Sequence, residues 1–355
     1  MPSVANPVPP TRDEQREHRM VQVAKLYYDL ERTQSEIAEE VGLTRWQVSR
    51  LLRDARETGI VRIAIVPRAQ RLPALESRLQ TAFGLREAIV VPSMGDGDVA
   101  QDAVAQAAGQ YLAGLSPRPG LVGVSWGRTM ASVAHWLAPG WNDGVRVVLM
   151  NGATNLKSAT LKTNTVAERF AEAGNGTATL LPVPAIVGRA ETRSVIEADP
   201  VIASVLKLAD EAPVACFGLG GMAGSVHVES GYLTAADVDG LVAKKAVGDL
   251  LGRFIDADGA IADPTLDART IGLAPERLRA KSHSIGVASG RAKHAVVLAA
   301  LKARYVNVLV TDEATALHAL SNQALSNQAL SDQALSDQAT NEKALSEDRE
   351  NTHAG

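Results

Sequence analysis

The chain has 355 residues, 40 acidic and 36 basic, and a formal net charge of -4. That balance excludes a uniformly basic nucleic-acid protein, so DNA affinity would have to come from a local patch. Hydrophobic residues at 46% supply a sizeable core, aromatics at 4% argue against a single-strand stacking platform, and one cysteine excludes a disulfide framework or a cysteine-based zinc site.

Residues 1–11 are proline-rich and are expected to be disordered. The start lacks a charged segment followed by an apolar one, and no run of about 18 apolar residues occurs, so a cytoplasmic protein without a membrane span is expected. A helix from Arg12 places Met20, Val23, Ala24 and Tyr27 on one side. Thr33 then precedes Glu36 in capping-box spacing, and Ile37, Ala38 and Val41 form a buried stripe. Gly42 supplies a turn. Thr44 caps a second helix whose apolar face is Val48, Leu51, Leu52 and Ala55. Its other face carries Arg45, Trp46, Gln47, Ser49, Arg50 and Arg53, types suited to phosphates and base edges. This is the helix-turn-helix pattern, weighed against an ordinary helical hairpin without that basic face. With Thr44, these residues are the candidate DNA contacts.

Ile60 to Val66 is β-branched and reads as a wing strand closing a DNA-binding domain over residues 12–66. A linker with its own helix, Pro73 to Phe83, spans 67–86. From residue 87 to 318 short apolar runs alternate with helical stretches. Strands are expected at 88–91, 121–124, 145–150, 179–181, 214–217, 284–288 and 306–310. Helices are expected at 99–115, 129–137, 165–173, 194–210, 235–250 and 292–303. This alternation implies an α/β domain with a largely parallel, Rossmann-like sheet and ligands at the carboxyl ends of its strands. From 319 to 355 the chain is low in complexity, with ALSNQ-type repeats spaced by five residues. Each repeat turns its leucine by ~140° around a helix, so no stripe forms and little contribution to the core is expected.

The segment from Gly123 to Thr129 lies between an expected strand and an expected helix. Its glycines, amides and the Ser125 and Thr129 hydroxyls favour an anion, and a phosphate is the natural guest. The spacing and Arg128 exclude a Walker A loop. Gly123, Ser125 and Gly127 also match a hydrolase nucleophile elbow, with His227, His283 or His294 as possible partners. No HGGG-type segment precedes the loop, and one expected strand between linker and elbow is too few for that fold. The histidines lack paired ligand spacing, so neither metal nor cofactor is expected.

GVSWGRT at 123–129, GDLLGRFIDADG at 248–259, ASGRAKHAVVLAAL at 288–301 and VNVLVTDEATA at 306–316, occurring in this order, resemble the SorC family of transcriptional regulators from about Met20 to Leu317. The resemblance implies a helix-turn-helix followed by an effector domain similar in fold to sugar-phosphate isomerases and glucosamine-6-phosphate deaminase. It implies double-stranded operator DNA and a phosphorylated sugar or polyol as partners, with assembly as a homodimer or homotetramer. By position, Gly123, Ser125, Gly127 and Thr129 would grip phosphate, flanked by Trp126 and Arg128. Asn151 and Gly152 would line the pocket, Asp256 would accept sugar hydroxyls, and Gly290 and Lys293 would complete the site. Ser289-Gly290 stands where the family usually has paired glycines. From the residues alone, Asp256 fits a turn equally well, Lys293 a solvated helix face, and Asp312 and Glu313 a helix cap. Lys157 and Lys162 are available for a Schiff base, with solvated surface as the plainer reading. The rival reading is a sugar-phosphate isomerase or deaminase with an appended DNA-binding unit.

Overall fold

The computed structural model describes residues 12–61, 70–93, 98–152, 165–223, 225–229 and 231–325. The expected wing (apart from Ile60 and Val61), Lys157, Lys162, the N-terminal residues 1–11 and the repeats after residue 325 lie outside this set. The chain divides into two compact units, Met1–Arg68 and Ala69–Gly355.

In the first unit, α1 (Arg12–Tyr28), α2 (Gln34–Val41) and α3 (Arg45–Glu57) enclose a small core of Val23, Leu26, Ile37, Ala38, Val48 and Leu52. The expected Thr33 capping box forms, and the Thr44 cap is a capping box as well. Thr33 and Glu36 exchange side-chain and backbone bonds, as do Thr44 and Gln47. Gly42 ends α2 in the left-handed region, φ 67°, and its amide donates to the Ala38 carbonyl, turning the chain into α3.

The second unit begins with α4 (Pro73–Phe83). The linker helix thus belongs to this unit. Leu72 N–H donates to the Val90 carbonyl, while the buried Glu76 carboxylate accepts the Val90 amide at 3.0 Å and Arg71 Nε at 2.8 Å. These bonds cover an otherwise open sheet edge.

The strands are β1 (Glu87–Val91), β2 (Leu121–Val124), β3 (Arg146–Leu149), β4 (Thr177–Thr179), β5 (Val214–Gly221), β6 (Gly248–Leu250), β7 (Arg253–Ile255), β8 (His283–Ala288) and β9 (Val308–Asp312). The order β1-β9-β8-β5-β2-β3-β4 is parallel throughout. Its central strands are apolar and buried on both faces, as a parallel sheet covered by helices requires. The helices are α5 (Asp98–Ala113), α6 (Arg128–Trp136), α7 (Thr165–Ala173), α8 (Ala190–Ala198), α9 (Pro200–Glu211), α10 (Val226–Glu229), α11 (Ala235–Ala243), α12 (Pro264–Asp267), α13 (His294–Lys302) and α14 (313–325). No helix among the described residues is long and apolar enough to cross a membrane.

Three expectations change. The single helix expected at 194–210 is two, because Pro200 cannot continue α8 and instead starts α9, with Asp199 capping the Val201 and Ile202 amides. The helix expected to reach residue 250 stops at Ala243, with Lys245 left-handed at φ 55°. Residues 248–255 are instead a hairpin, β6 pairing antiparallel with β5 and with β7. Its two-residue turn, Leu251 at φ 56° and Gly252 at φ 81°, has the left-handed pair that tight hairpins use. Finally, α14 continues past residue 319, with Ala319 and Leu320 in the core, so the expected tail boundary falls too early.

Candidate functional site

A cavity of about 130 Å³ opens at the carboxyl ends of β2, β3 and β5. It holds roughly ten water-sized spheres, the scale of a small metabolite. One wall is the β2–α6 loop. Gly127 starts α6 at φ 134°, a conformation that side chains rarely adopt. Thr129 and Met130 lie in the first turn of α6, where a helix has no carbonyl of its own four residues back to accept the amides. The partial positive charge of the helix end adds to them.

Lys293 reaches this wall from the turn before α13. Its Nζ donates to Thr129 Oγ1 at 2.9 Å. Burial, reinforced by the nearby Arg128, pushes Lys293 down to about 8, against the opposing pull of Asp312 and Asp249. Ser125 is buried and its Oγ accepts the Gly218 amide at 3.3 Å, leaving its proton for a ligand. A Cβ added at Gly218 on β5 would meet Thr129 Cβ of α6 at 3.4 Å, so strand and helix are in contact at this point of the site.

The opposite wall is polar and aromatic. Asp249 on β6 and His227 on α10 are both buried, with Nε2 3.4 Å from Oδ2. Gly252 N–H also donates to Asp249 Oδ2. The Trp126 ring meets His227 edge-on at 5.1 Å, and Trp126 Nε1 donates to the Gly152 carbonyl at 2.6 Å. Three buried polar atoms on the lining lack a partner among the described residues: Asn151 Oδ1, Ser225 Oγ and His227 Nδ1. Buried polar atoms left alone are costly, so this wall is built for a ligand with donors of its own or for ordered water.

Ser125, Trp126, Gly127, Arg128, Thr129, Asn151 and Lys293 therefore line one cavity. Gly123 lies outside the lining, within β2, where an added Cβ would come 2.7 Å from Met150 Sδ. Gly152 contributes its carbonyl to Trp126 and is outside the lining as well. Asp256 is not on the lining either. Its Oδ1 accepts the Asp258 and Ala260 amides at 3.0 Å each, which is the turn alternative. Gly290 serves the neighbouring loop, donating its amide to Asp312 Oδ2 at 2.6 Å. Asp312 in turn caps α14 by accepting the Thr315 amide. Asp249, Ser225 and Gln101 also line the cavity and were not singled out from the sequence, and His227, named there only as a partner for Ser125 in the hydrolase reading, lines it too. Within the hairpin segment GDLLGRF, Asp249 is the one acidic residue and the signal that could have flagged it.

The nucleophile-elbow reading finds no support in this geometry. Ser125 Oγ is bonded to a backbone amide, and His227 Nδ1 has no described partner.

In the first unit, Arg45, Trp46, Gln47, Arg50 and Arg53 are exposed on α3, while Ser49 is half-buried. The Arg50 guanidinium lies 5.7 Å from the Trp46 ring centroid. Thr44 and Gln47 are engaged in the capping box, with Gln47 Oε1 accepting Thr44 N–H at 2.8 Å. That leaves the Gln47 amide nitrogen for other contacts.

A helix-turn-helix unit followed by a parallel α/β unit with a small-molecule cavity defines a ligand-responsive DNA-binding regulator. The sequence matches the sugar-binding domain family, Sugar-bind, over residues 68–321. It is 33% identical over 307 residues to the deoxyribonucleoside regulator of Bacillus subtilis, covering 86% of this chain and 97% of that protein. It is 32% identical over 309 residues to the sorbitol operon regulator of Klebsiella pneumoniae, covering 84% and 96%. The crystal structure of the full-length Klebsiella pneumoniae SorC superposes with a TM-score of 0.65 at 31% identity, covering 86% of this chain and 98% of that one. The chain belongs to the SorC family of transcriptional regulators.

Proposed function

We propose that this regulator responds to a phosphorylated sugar or polyol, with the phosphate on the first turn of α6 and the hydroxyls on the wall of Asn151, Ser225, His227 and Asp249. The observation that carries this reading is the Lys293–Thr129 contact at a glycine-started helix N-terminus, which gathers a cation, a hydroxyl and the positive end of a helix at one point. The names of the sorbitol and deoxyribonucleoside regulators support a polyhydroxylated effector.

The first unit would read operator DNA, with α3 in the major groove and Arg45, Arg50 and Arg53 on phosphates or base edges. One short helix offers few base contacts, so the protein would act as a homodimer or homotetramer on a pseudo-palindromic site in the cytoplasm. Effector alters DNA affinity because it binds the DNA-competent and incompetent states unequally. The pocket binds without turnover on this reading, since Ser125 lacks a bonded general base.

Calorimetry with a sugar phosphate panel and the matching free sugars tests the assignment. A strong preference for the phosphorylated forms is expected. Equal affinity for both would remove phosphate from the first turn of α6.

A further inference from the structure

Arg253 is 3% exposed, yet it carries a full guanidinium beside the turn of the β6–β7 hairpin. Its donors fan out to one short segment. Nε reaches the Leu273 carbonyl at 3.3 Å, Nη2 those of Thr270 and Gly272 at 3.2 and 3.0 Å, and Nη1 the backbone and carboxylate of Asp267. A planar fork with five N–H groups in fixed directions can hold several spread-out carbonyls at once, where an ammonium offers three donors from a single point.

That segment in turn holds the far wall of the cavity. Leu273 N–H donates to the Met150 carbonyl at 2.8 Å, and Gly152 N–H to the Ile271 carbonyl at 3.2 Å. Asn151 and Gly272 form an antiparallel bridge between them. The bridge is tight: a Cβ on Gly272, at φ 139°, would lie 2.7 Å from Asn151 Cα. On the hairpin side, Gly252 stands next to Arg253, and its amide is tied to Asp249. Two lining groups from distant parts of the chain, Asp249 and Asn151, are therefore joined through one buried side chain.

We infer that Arg253 is a positioning residue for the effector pocket, fixing the Asp249 hairpin relative to Asn151 so that both walls can contact one ligand. The inference rests on the effector reading of the cavity. It goes beyond it by assigning a residue that touches no ligand.

Amide hydrogen exchange on the full chain tests it without a known effector. In the wild type, the amides of Gly152, Leu273 and Gly252 should open as one unit, with the same dependence on denaturant. Independent opening of Gly152 and Leu273 from Gly252 would overturn the proposal, and this arm does not depend on any variant folding. Arg253→Lys keeps a positive charge near Asp267 but loses the fork. It should speed exchange at Gly152 and Leu273 roughly tenfold or more, with Ile89 in β1 unchanged. Wild-type protection in Arg253→Lys would show that a point charge suffices. Uniform acceleration across the unit would show a general stability role. Either result overturns positioning. Inorganic phosphate serves as the separate probe of the effector reading. It should protect residues 125–130 in wild type and variant alike. Failure to do so in the wild type rejects phosphate on that loop, while the exchange at Gly152 still judges Arg253.

Discussion

Lys293 and Thr129 stand 164 residues apart in the chain and meet at 2.9 Å, ammonium to hydroxyl, over the first turn of α6. The Thr129 Oγ1 accepts that bond and keeps its own proton for a ligand. A buried ammonium with one hydroxyl partner is poorly compensated, which is why burial holds Lys293 near 8. A phosphate would supply the missing negative charge.

Lys293→Met should therefore separate binding from stability. It keeps the apolar stem and removes the charge. Affinity for a phosphorylated effector should fall roughly 10- to 150-fold, from the loss of about 1.5–3 kcal/mol in a charge-assisted bond. The melting temperature without ligand should stay level or rise, because an incompletely paired buried charge is removed. Calorimetry and thermal unfolding on the same variant check both halves. A large fall in stability with unchanged affinity would make Lys293 a structural group.

The same lysine sets a pH window. In the free protein it loses its proton near pH 8. A bound phosphate favours the ammonium and raises that value, so binding takes up a proton as pH climbs past 8. Affinity should thus be constant just below 8 and decline above it. Below about pH 6 the phosphate itself becomes a monoanion, and affinity should decline again. Titration calorimetry from about pH 5.5 to about pH 9.5, an interval that brackets both values, should show this plateau. In Lys293→Met the alkaline limb should vanish and the acidic limb remain.

In the DNA-binding unit, two neighbours on α3 should behave differently. Arg50 is exposed and free of the cap, so Arg50→Ala should weaken operator binding by about 1–3 kcal/mol with little change in stability. Gln47 closes the Thr44 capping box, so Gln47→Ala should also lower stability, by about 0.5–2 kcal/mol. Operator titrations paired with melting curves separate the two effects. Equal stability losses in both variants would contradict the capping role.

What the sequence revealed follows from how local each signal is. The caps at Thr33 and Thr44 lie within four residues of their partners and both were legible, although Gln47 was read as a DNA contact and not as the residue that closes the Thr44 box. So was the loop from Ser125 to Thr129, because a glycine-flanked turn between an apolar strand and a helix is a local pattern. Asp249 was not legible. Residues 235–250 read as one helix, and the β6–β7 hairpin is fixed instead by pairing with β5, including Gly220 opposite Asp249. His227 sits on a four-residue helix too short to show a period. Asp256 drew attention because it follows Phe254 in a family motif, but its carboxylate is spent on two amides of its own turn.

The end of the chain offers a last test. Asp312 caps α14, whose helix runs to residue 325 and buries Thr315, Ala316, Ala319 and Leu320. The first ALSNQ repeat therefore starts inside the core, while Leu325 is 65% exposed. Beyond it, a five-residue spacing moves each leucine ~140° around a helix and gives no face that could extend the packing. Two truncations should part company. Ending the chain after Leu325 should leave the melting temperature and effector affinity unchanged. Ending it after His318 removes Ala319 and Leu320 and exposes their neighbours. Losing the Leu320 side chain alone should cost about 2–5 kcal/mol, so the point variant Leu320→Ala should reproduce most of the loss. Thermal unfolding of the three proteins decides it. A stable chain ending at His318 would show that α14 holds without its last buried turn, and a destabilised chain ending at Leu325 would give the later repeats a structural role.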